Sequence, residues 1–436
     1  MERMSAVTAE EPAPVVAAVD PRLSGRRRTA SGVGLGVAAL LCVVGFGLGA
    51  HAGSASFGLS PAGTAHPTVL RLPAEASAIL LGLVLAALAA WQLARGFSRR
   101  VMPWVTAAAL ALVVLAFLCW AASGVADDNP FQLLGLLQNS VFLAVPLVLG
   151  ALGGVLCERS GVINVAIEGQ MLTGAFAAAL VGTITHNLGA GVVAAVLAGG
   201  LIGAMLAVFA IRYLVNQVVL GVVLNLFAAG LTGFAYDALM QKHTDQFNTP
   251  AIFSPVKIPL LGDIPFVGPL LFDTTVLVYL TYVLIAVVDV ALFRTRWGLR
   301  TRAVGEHPKA ADTVGIKVLR TRYVNTVLGG FVAGLGGAYI TIGTVGAFSK
   351  NISSGKGFIA LAAVIFGRWS PRGAVGAALL FGFADALQTV LSFTQTPVQI
   401  PSSFLAMAPY LATILAVAGL VGRVRAPAAD GEPYVK

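Results

Sequence analysis

The sequence predicts an all-α integral membrane protein, a polytopic helical bundle of about ten to twelve transmembrane helices with one or two of them broken or re-entrant. Three observations predict it. Of 436 residues, 57% are hydrophobic and 11% are charged, with a mean hydropathy of +0.87, where a soluble domain carries about 25% charge. Apolar stretches recur along the whole chain, most of them close to the ~20 residues that cross a bilayer. The short alternating segments of ~10 residues that mark a membrane β-barrel are missing.

The elements follow in order. Residues 1–31 are polar, rich in Ala, Pro and Arg, and end in Arg26, Arg27 and Arg28. They read as a disordered cytoplasmic tail with a basic anchor beside the membrane. A signal peptide does not fit, because the basic cluster comes late and no small-residue cleavage site leads into a soluble domain. Apolar segments follow at 32–50, 74–93, 103–122, 132–156, 165–185, 190–211, 214–236, 273–293, 323–343, 357–366, 373–392 and 403–421. The segment at 357–366 is too short to span alone and reads as a re-entrant or broken helix. Between Asp237 and Phe272 lie five prolines (Pro250, Pro255, Pro259, Pro265, Pro269) and two glycines (Gly262, Gly268). Proline removes a donor and fixes φ, so this stretch is an ordered outer loop or a set of short helices. Residues 423–436 form a cytoplasmic C-terminal tail.

Charge sets the orientation. With the N-terminus inside and the segments alternating, the inner segments hold 23 Lys and Arg and the outer ones 5. Such a bias places both termini in the cytoplasm. The net charge of +9 is spread over these short loops, which argues against a nucleic-acid partner. The three cysteines (Cys42, Cys119, Cys157) sit in or beside apolar helices without CxxC or His/Cys spacing, so neither disulfide nor structural metal is expected. Four GxxxG pairs (Gly45/Gly49, Gly150/Gly154, Gly199/Gly203, Gly330/Gly334) predict close helix packing.

Polar residues interrupt this pattern at "ERSGVINVAIEGQMLTGAF", Glu158 to Phe176. Glu158 and Arg159 fall at a helix end, where they pair with each other or with loop groups, and Gly161 allows a turn. Asn164 and Glu168 are four apart and share a face in a helix. Buried polar groups in a membrane face the bundle interior or a wet cavity. Two readings of Asn164, Glu168 and Gln170 stand open: a polar wall of a solute pathway, or a hydrogen-bond network that fixes helix packing. Asn225, Asp385 and Gln388 join them as pathway candidates, with Gln138, Asn139, Asn216, Gln217 and Asn325 as further interior polar groups. Asp289 precedes Arg294 by about a turn and reads as a helix-end ion pair. Amides both donate and accept, which suits a neutral polar solute.

The inner loop 294–322 carries eight of the basic residues. Within it Pro308 can open a helix at its first turn. Lys309 to Val314 continue it and Gly315 ends it. A short capped helix with small residues (Ala310, Ala311) projecting from a membrane domain reads as a docking element for a cytoplasmic partner.

At this loop the sequence resembles a known family. "GLRTRAVGEHPKAADTVGIKV" looks like the coupling loop of ABC importer permeases of the branched-chain amino acid, simple-sugar and nucleoside group, with Gly305, Glu306, His307, Pro308, Ala310, Ala311 and Gly315 as its matching positions. "ERSGVINVAIEGQMLTGAF" and "GFIALAAVIFGRWSPRGAVGAALLFGFADALQ" resemble two further blocks, in family order. The resemblance covers about 130–422 and leaves 32–122 as extra N-terminal helices. It implies a permease subunit of a bacterial plasma-membrane importer, closest to nucleoside permeases, with a ribose- or galactose-type permease as the alternative and an ion-coupled carrier as a remote one. It also implies that the partners are a cytoplasmic ATPase of two fused nucleotide-binding domains, a second permease (heterodimer or homodimer) and an extracytoplasmic solute-binding lipoprotein. The nearest approach to a P-loop, "SSGKGF", lacks the upstream glycine and the closing Ser/Thr. ATP and Mg are therefore expected on the partner, with no cofactor, metal or catalytic residue on this chain.

Overall fold

The computed structural model describes residues 25–50, 53–61, 68–123, 130–394 and 425–435, with a few isolated positions outside these ranges. The helices are α1 (Gly25–Leu40), α2 (Ala74–Ala94), α3 (Met102–Ala122), α4 (Leu133–Glu158), α5 (Ile167–Thr185), α6 (Leu188–Ala207), α7 (Gln217–Ala235), α8 (Thr244–Phe247) and α9 (Val267–Leu271). They continue with α10 (Val276–Arg294), α11 (Arg296–Glu306), α12 (Pro308–Thr313), α13 (Val318–Ile340), α14 (Lys356–Phe366) and α15 (Pro371–Phe393). α1, α6, α7 and α13 each run on through a π-helical stretch, ending at Gly47, Arg212, Met240 and Val345. Among the described residues ten helices are long and apolar enough to cross a membrane, and α14 is a shorter apolar helix. The span expected at 403–421 lies outside the described residues, apart from two isolated positions, as do residues 1–24.

Two compact units emerge, one built on α1–α3 and the other on α4–α15 with the C-terminal segment. In the first, Leu35, Cys42, Ala78, Leu85, Val105 and Ala116 form the core. Here the expected disordered tail ends early: α1 begins at Gly25, so the three arginines lie on a helix. Arginine is a good helix former, and Arg28 reaches the C-terminal carbonyls of α2, donating to Leu93 O at 2.5 Å and Ala94 O at 2.7 Å. A cation at a helix C-terminus is favoured by the helix dipole.

In the second unit α13 lies at the centre, packed against α4, α5 and α6. Its glycines make that possible. A Cβ on Gly199 of α6 would lie 2.5 Å from both Gly330 O and Gly334 Cα. A Cβ on Gly330 would lie 2.6 Å from Gly199 O. Two of the four predicted GxxxG pairs therefore face each other, with backbone against backbone. A third, Gly150 and Gly154 on α4, seats Ala360 and Val364 of α14. At Gly45 the nearest atoms belong to Leu41 of its own helix, so the fourth pair does not form such a seat. Leu147, Leu152, Val155, Ile167, Met171, Ile340, Val364 and Phe381 fill the remaining core. The proline-rich stretch 237–272 contains the short helices α8 and α9, as its prolines predicted, and also a strand, Pro255–Lys257, that pairs antiparallel with Asp273–Thr275.

One expected ion pair is replaced. Asp289 binds Arg372 at the start of α15, with Nε and Nη2 at 3.0 and 2.8 Å from Oδ2. Arg294 is five residues on, well round the helix from Asp289, so it points elsewhere.

The glycine seam yields the first prediction. Gly199→Leu or Gly334→Leu should abolish recovery of monodisperse chain in detergent, because backbone cannot yield as a side chain can. The cost should exceed the roughly 1–3 kcal/mol of ordinary overpacking. Gly376→Ala, where a Cβ meets nothing within 4 Å, should behave as wild type on size-exclusion chromatography.

Candidate functional site

The polar stretch is a true break. α4 stops at Glu158, the chain runs without helix through 159–166, and α5 starts at Ile167. Gly161 turns the backbone with φ +86°, a region that favours glycine. Non-helical backbone at membrane depth needs partners other than lipid, and α7 supplies them. Gln217 Oε1 accepts from Ile163 N at 2.7 Å. Asn225 donates to Val165 O at 2.9 Å and accepts from Gly169 N at 2.8 Å. Gly221 lets α7 come this close: a Cβ there would lie 2.6 Å from Val165 Cβ. Asn164 and Gln170 form a reciprocal amide pair at 3.0 and 3.3 Å, and both are fully buried.

Glu168 closes a second break. Its carboxylate accepts from Ser353 Oγ at 2.6 Å, Gly355 N at 2.9 Å and Gly357 N at 2.6 Å. These donors belong to the start of α14. With eleven residues, α14 is about 16 Å long at 1.5 Å per residue, roughly half the hydrocarbon core. Its N-terminus brings unpaired N–H groups and a partial positive charge to bilayer depth. A buried carboxylate answers both. Gly357 is needed because a Cβ there would overlap the Glu168 backbone. Between the two glycines, Lys356 lies within electrostatic range of Asp385 on α15.

The structure thus gathers Asn164, Glu168, Gln170 and Asn225 around the two breaks. Asp385 reaches this region through Lys356, and Gln388 stands apart on α15, half-buried. Of the other polar groups, Gln138 donates to Pro269 O at 2.9 Å, Asn216 caps α7, and Asn325 donates to Thr321 O at 2.7 Å. Sequence reasoning missed Ser353, Gly355, Lys356 and Gly357. They lay in plain view as "SSGKGF", a glycine-flanked start to a helix too short to span. Among the described residues no cluster of three or more His, Cys, Asp or Glu could hold a metal.

At the other end of the break, Glu158 accepts from Trp369 Nε1. Arg159 donates to Trp369 O at 2.6 Å and lies 3.9 Å from Glu306. Both residues use loop groups and not each other. The loop after α10 holds two helices where one was expected. α11 is capped by Thr295, whose hydroxyl accepts from Gly298 N at 3.2 Å. Gly305 sits so close to the break that a Cβ would overlap Arg159 O. α12 begins at Pro308 and ends before Gly315, whose φ is +83°, as the sequence predicted. His307 joins the two helices, accepting from Ala311 N at 3.0 Å. The two alanines part company: Ala310 is exposed, whereas Ala311 is 4% exposed and packs on its own chain with Val304, Val318 and Tyr434. The face of α12 that stays exposed consists of Lys309, Ala310, Thr313 and Val314.

The family described as branched-chain amino acid transport system / permease component matches residues 136–422. The chain belongs to this permease family. The matched span covers α4–α15 and leaves α1–α3 outside it. The guanosine ABC transporter permease NupQ of Bacillus subtilis is 43% identical over 67% of this chain and 94% of its own length. The nucleoside ABC transporter permease NupC of Lactococcus lactis is 38% identical over 71% and 98%. The putative glucose ABC transporter permease TsgC13 of Haloferax volcanii is 36% identical over 58% and 77%. A second guanosine permease of Bacillus subtilis, NupP, matches at 26% over 54% and 69%. No solved structure matches the chain.

For this permease the Glu168 cap makes a clear prediction. Each charge-assisted bond is worth about 1.5–3 kcal/mol, and each stranded donor costs about 1–3 kcal/mol. Glu168→Ala should therefore lower the melting temperature in detergent by many degrees. Glu168→Gln, which keeps an acceptor oxygen, should lose much less. Equal melting of the two variants would contradict the capping role.

Proposed function

We propose that this chain is the membrane subunit of an ATP-binding cassette importer that carries nucleosides inward across the bacterial plasma membrane. The observation that carries the reading is the 43% identity over 94% of a guanosine transporter permease. The site supports it in kind. It offers two helix breaks held by side-chain hydrogen bonds and a capped helix pair at one end of the second unit.

In this reading the exposed face of α12 docks on a separate cytoplasmic ATPase, of two fused nucleotide-binding domains. A solute-binding lipoprotein delivers cargo from outside. A second permease completes the channel, and NupQ and NupP supply the precedent of two permeases for guanosine in one organism. ATP and Mg stay on the partner. Both termini lie inside. The orientation draws support from the way the break at Arg159, the loop 294–322, the Trp369 turn and the tail at 425–435 meet at one end of the second unit. These are four of the segments that the charge bias assigns to the cytoplasm.

The test is uptake of radiolabelled guanosine into vesicles holding this chain, its ATPase, the second permease and the binding protein. Uptake should need ATP and survive ionophores. Competition by unlabelled nucleosides but not by glucose or ribose separates the nucleoside reading from the monosaccharide one. Uptake by this chain alone, driven by an ion gradient, would overturn both.

Docking makes a sharper prediction. Ala310→Glu, on the exposed face, should cut ATP-driven uptake at least tenfold and reduce ATPase co-purification, with the chain still inserted at wild-type level. Ala311→Glu should instead impair the chain itself, seen as lower melting temperature.

A further inference from the structure

The C-terminal segment is not a loose tail. Residues 425–435 cross the end of the second unit and touch α11, α12, α13 and the break. Ala429 N donates to Gly305 O at 2.9 Å. Ala428 N donates to Glu306 Oε2 at 3.3 Å. Arg322, 2% exposed on α13, donates through Nη1 to Glu432 O at 2.8 Å and through Nη2 to Ala429 O at 3.4 Å. Gly431 turns with φ +79°, and a Cβ there would lie 2.6 Å from Ile163 Cδ1 in the break. Last, Tyr434 is 8% exposed, packs with Val304, Ala311 and Val318, and bonds through its hydroxyl to Asp312 of α12.

These contacts share one consequence. α12 has six residues, too few to hold a fixed position by itself. It is seated through Ala311, and Tyr434 is part of that seat. The same strand of chain, three residues earlier, lies on Ile163. A push on α12 thus reaches the 159–166 break along the tail as well as along α11. We infer that residues 425–435 form a strap that positions α11 and α12 on the helix break and so carries motion from the docked ATPase into the membrane core. The strap's residues are positioning residues, and the inference rests on the proposed function for its motor.

One contact opposes the strap. Asp430 and Glu158 lie near enough to repel each other, and burial pushes the Asp430 carboxyl up from the ordinary carboxylate value. Arg322 also lies near enough to attract the same carboxylate, so the hold comes from the backbone carbonyls on Arg322, from Tyr434 and from this attraction, set against the Glu158 repulsion.

Two measurements test the strap. The first needs no partner: hydrogen–deuterium exchange on the full chain in detergent. Tyr434→Ala, and separately a stop codon at Pro427, should speed exchange at least tenfold in both 296–317 and 159–166. Tyr434→Phe, which keeps the packed ring and loses only the bond to Asp312, should fall between wild type and Tyr434→Ala in the same segments. Unchanged exchange at 159–166 in the Tyr434→Ala chain overturns the inference. The second measures ATP hydrolysed per guanosine imported by the reconstituted transporter. Tyr434→Ala should raise this ratio at least fivefold, with the ATPase still co-purifying, and Tyr434→Phe, which keeps the ring, should raise it less. A wild-type ratio in a chain whose exchange has quickened also overturns the inference. If no ATPase associates with the wild-type chain, the proposed function fails instead, and exchange alone decides whether the tail is a strap.

Discussion

A carboxylate on the end of a half-helix is the constraint around which the core unit is arranged. α14 is too short to cross the bilayer, and its N-terminal amides have no partner within the helix. Glu168 serves them, with Ser353 and two glycine amides as donors. The arrangement works in both directions, since a lone buried carboxylate is as costly as the stranded amides. Neither break could exist without the other. The gap between α4 and α5 sets Glu168 at the head of α5, and the gap before α14 supplies something for it to bind. Gly357 removes the one side chain that would keep them apart.

The surrounding scaffold is stiff for the opposite reason. α5, α6 and α13 meet through glycines, so their backbones touch and leave no side-chain layer to repack. Lipid offers no hydrophobic drive for such contact, and dispersion between close backbones takes its place. A rigid three-helix wall beside two interrupted helices separates what can move from what cannot.

Much of this was legible in the sequence, because membrane constraints are strict. Span length and the GxxxG spacing each have one dominant physical cause. The α12 helix was readable from Pro308 and Gly315 for the same reason. Other features were not. α11 was hidden because its arginines read as a basic linker, although Thr295 and the buried Thr301 and Val304 mark a capped, one-faced helix. Asp289 was paired by nearness in sequence, whereas Arg372 lies 83 residues away. The opposite fates of Ala310 and Ala311 depend on which wall Tyr434 occupies, and nothing within the loop reveals that. Long-range partners of this kind carry no local pattern.

The hydrogen bonding also bears on where a solute can pass. Asn164, Gln170, Asn225 and Glu168 already spend their donors and acceptors on each other and on broken backbone. Recruiting any of them to a passing solute would strand a buried group, at about 1–3 kcal/mol each. Such residues suit a body that changes shape better than a surface that is touched. Asp385 and Gln388 differ. They are half-buried, and among the described residues their side-chain oxygens hold no hydrogen bond, Asp385 having only Lys356 within electrostatic range. Their face of α15 can meet a polar ring at no cost to the fold. The hydrogen bonding therefore favours the packing reading for the residues around the breaks.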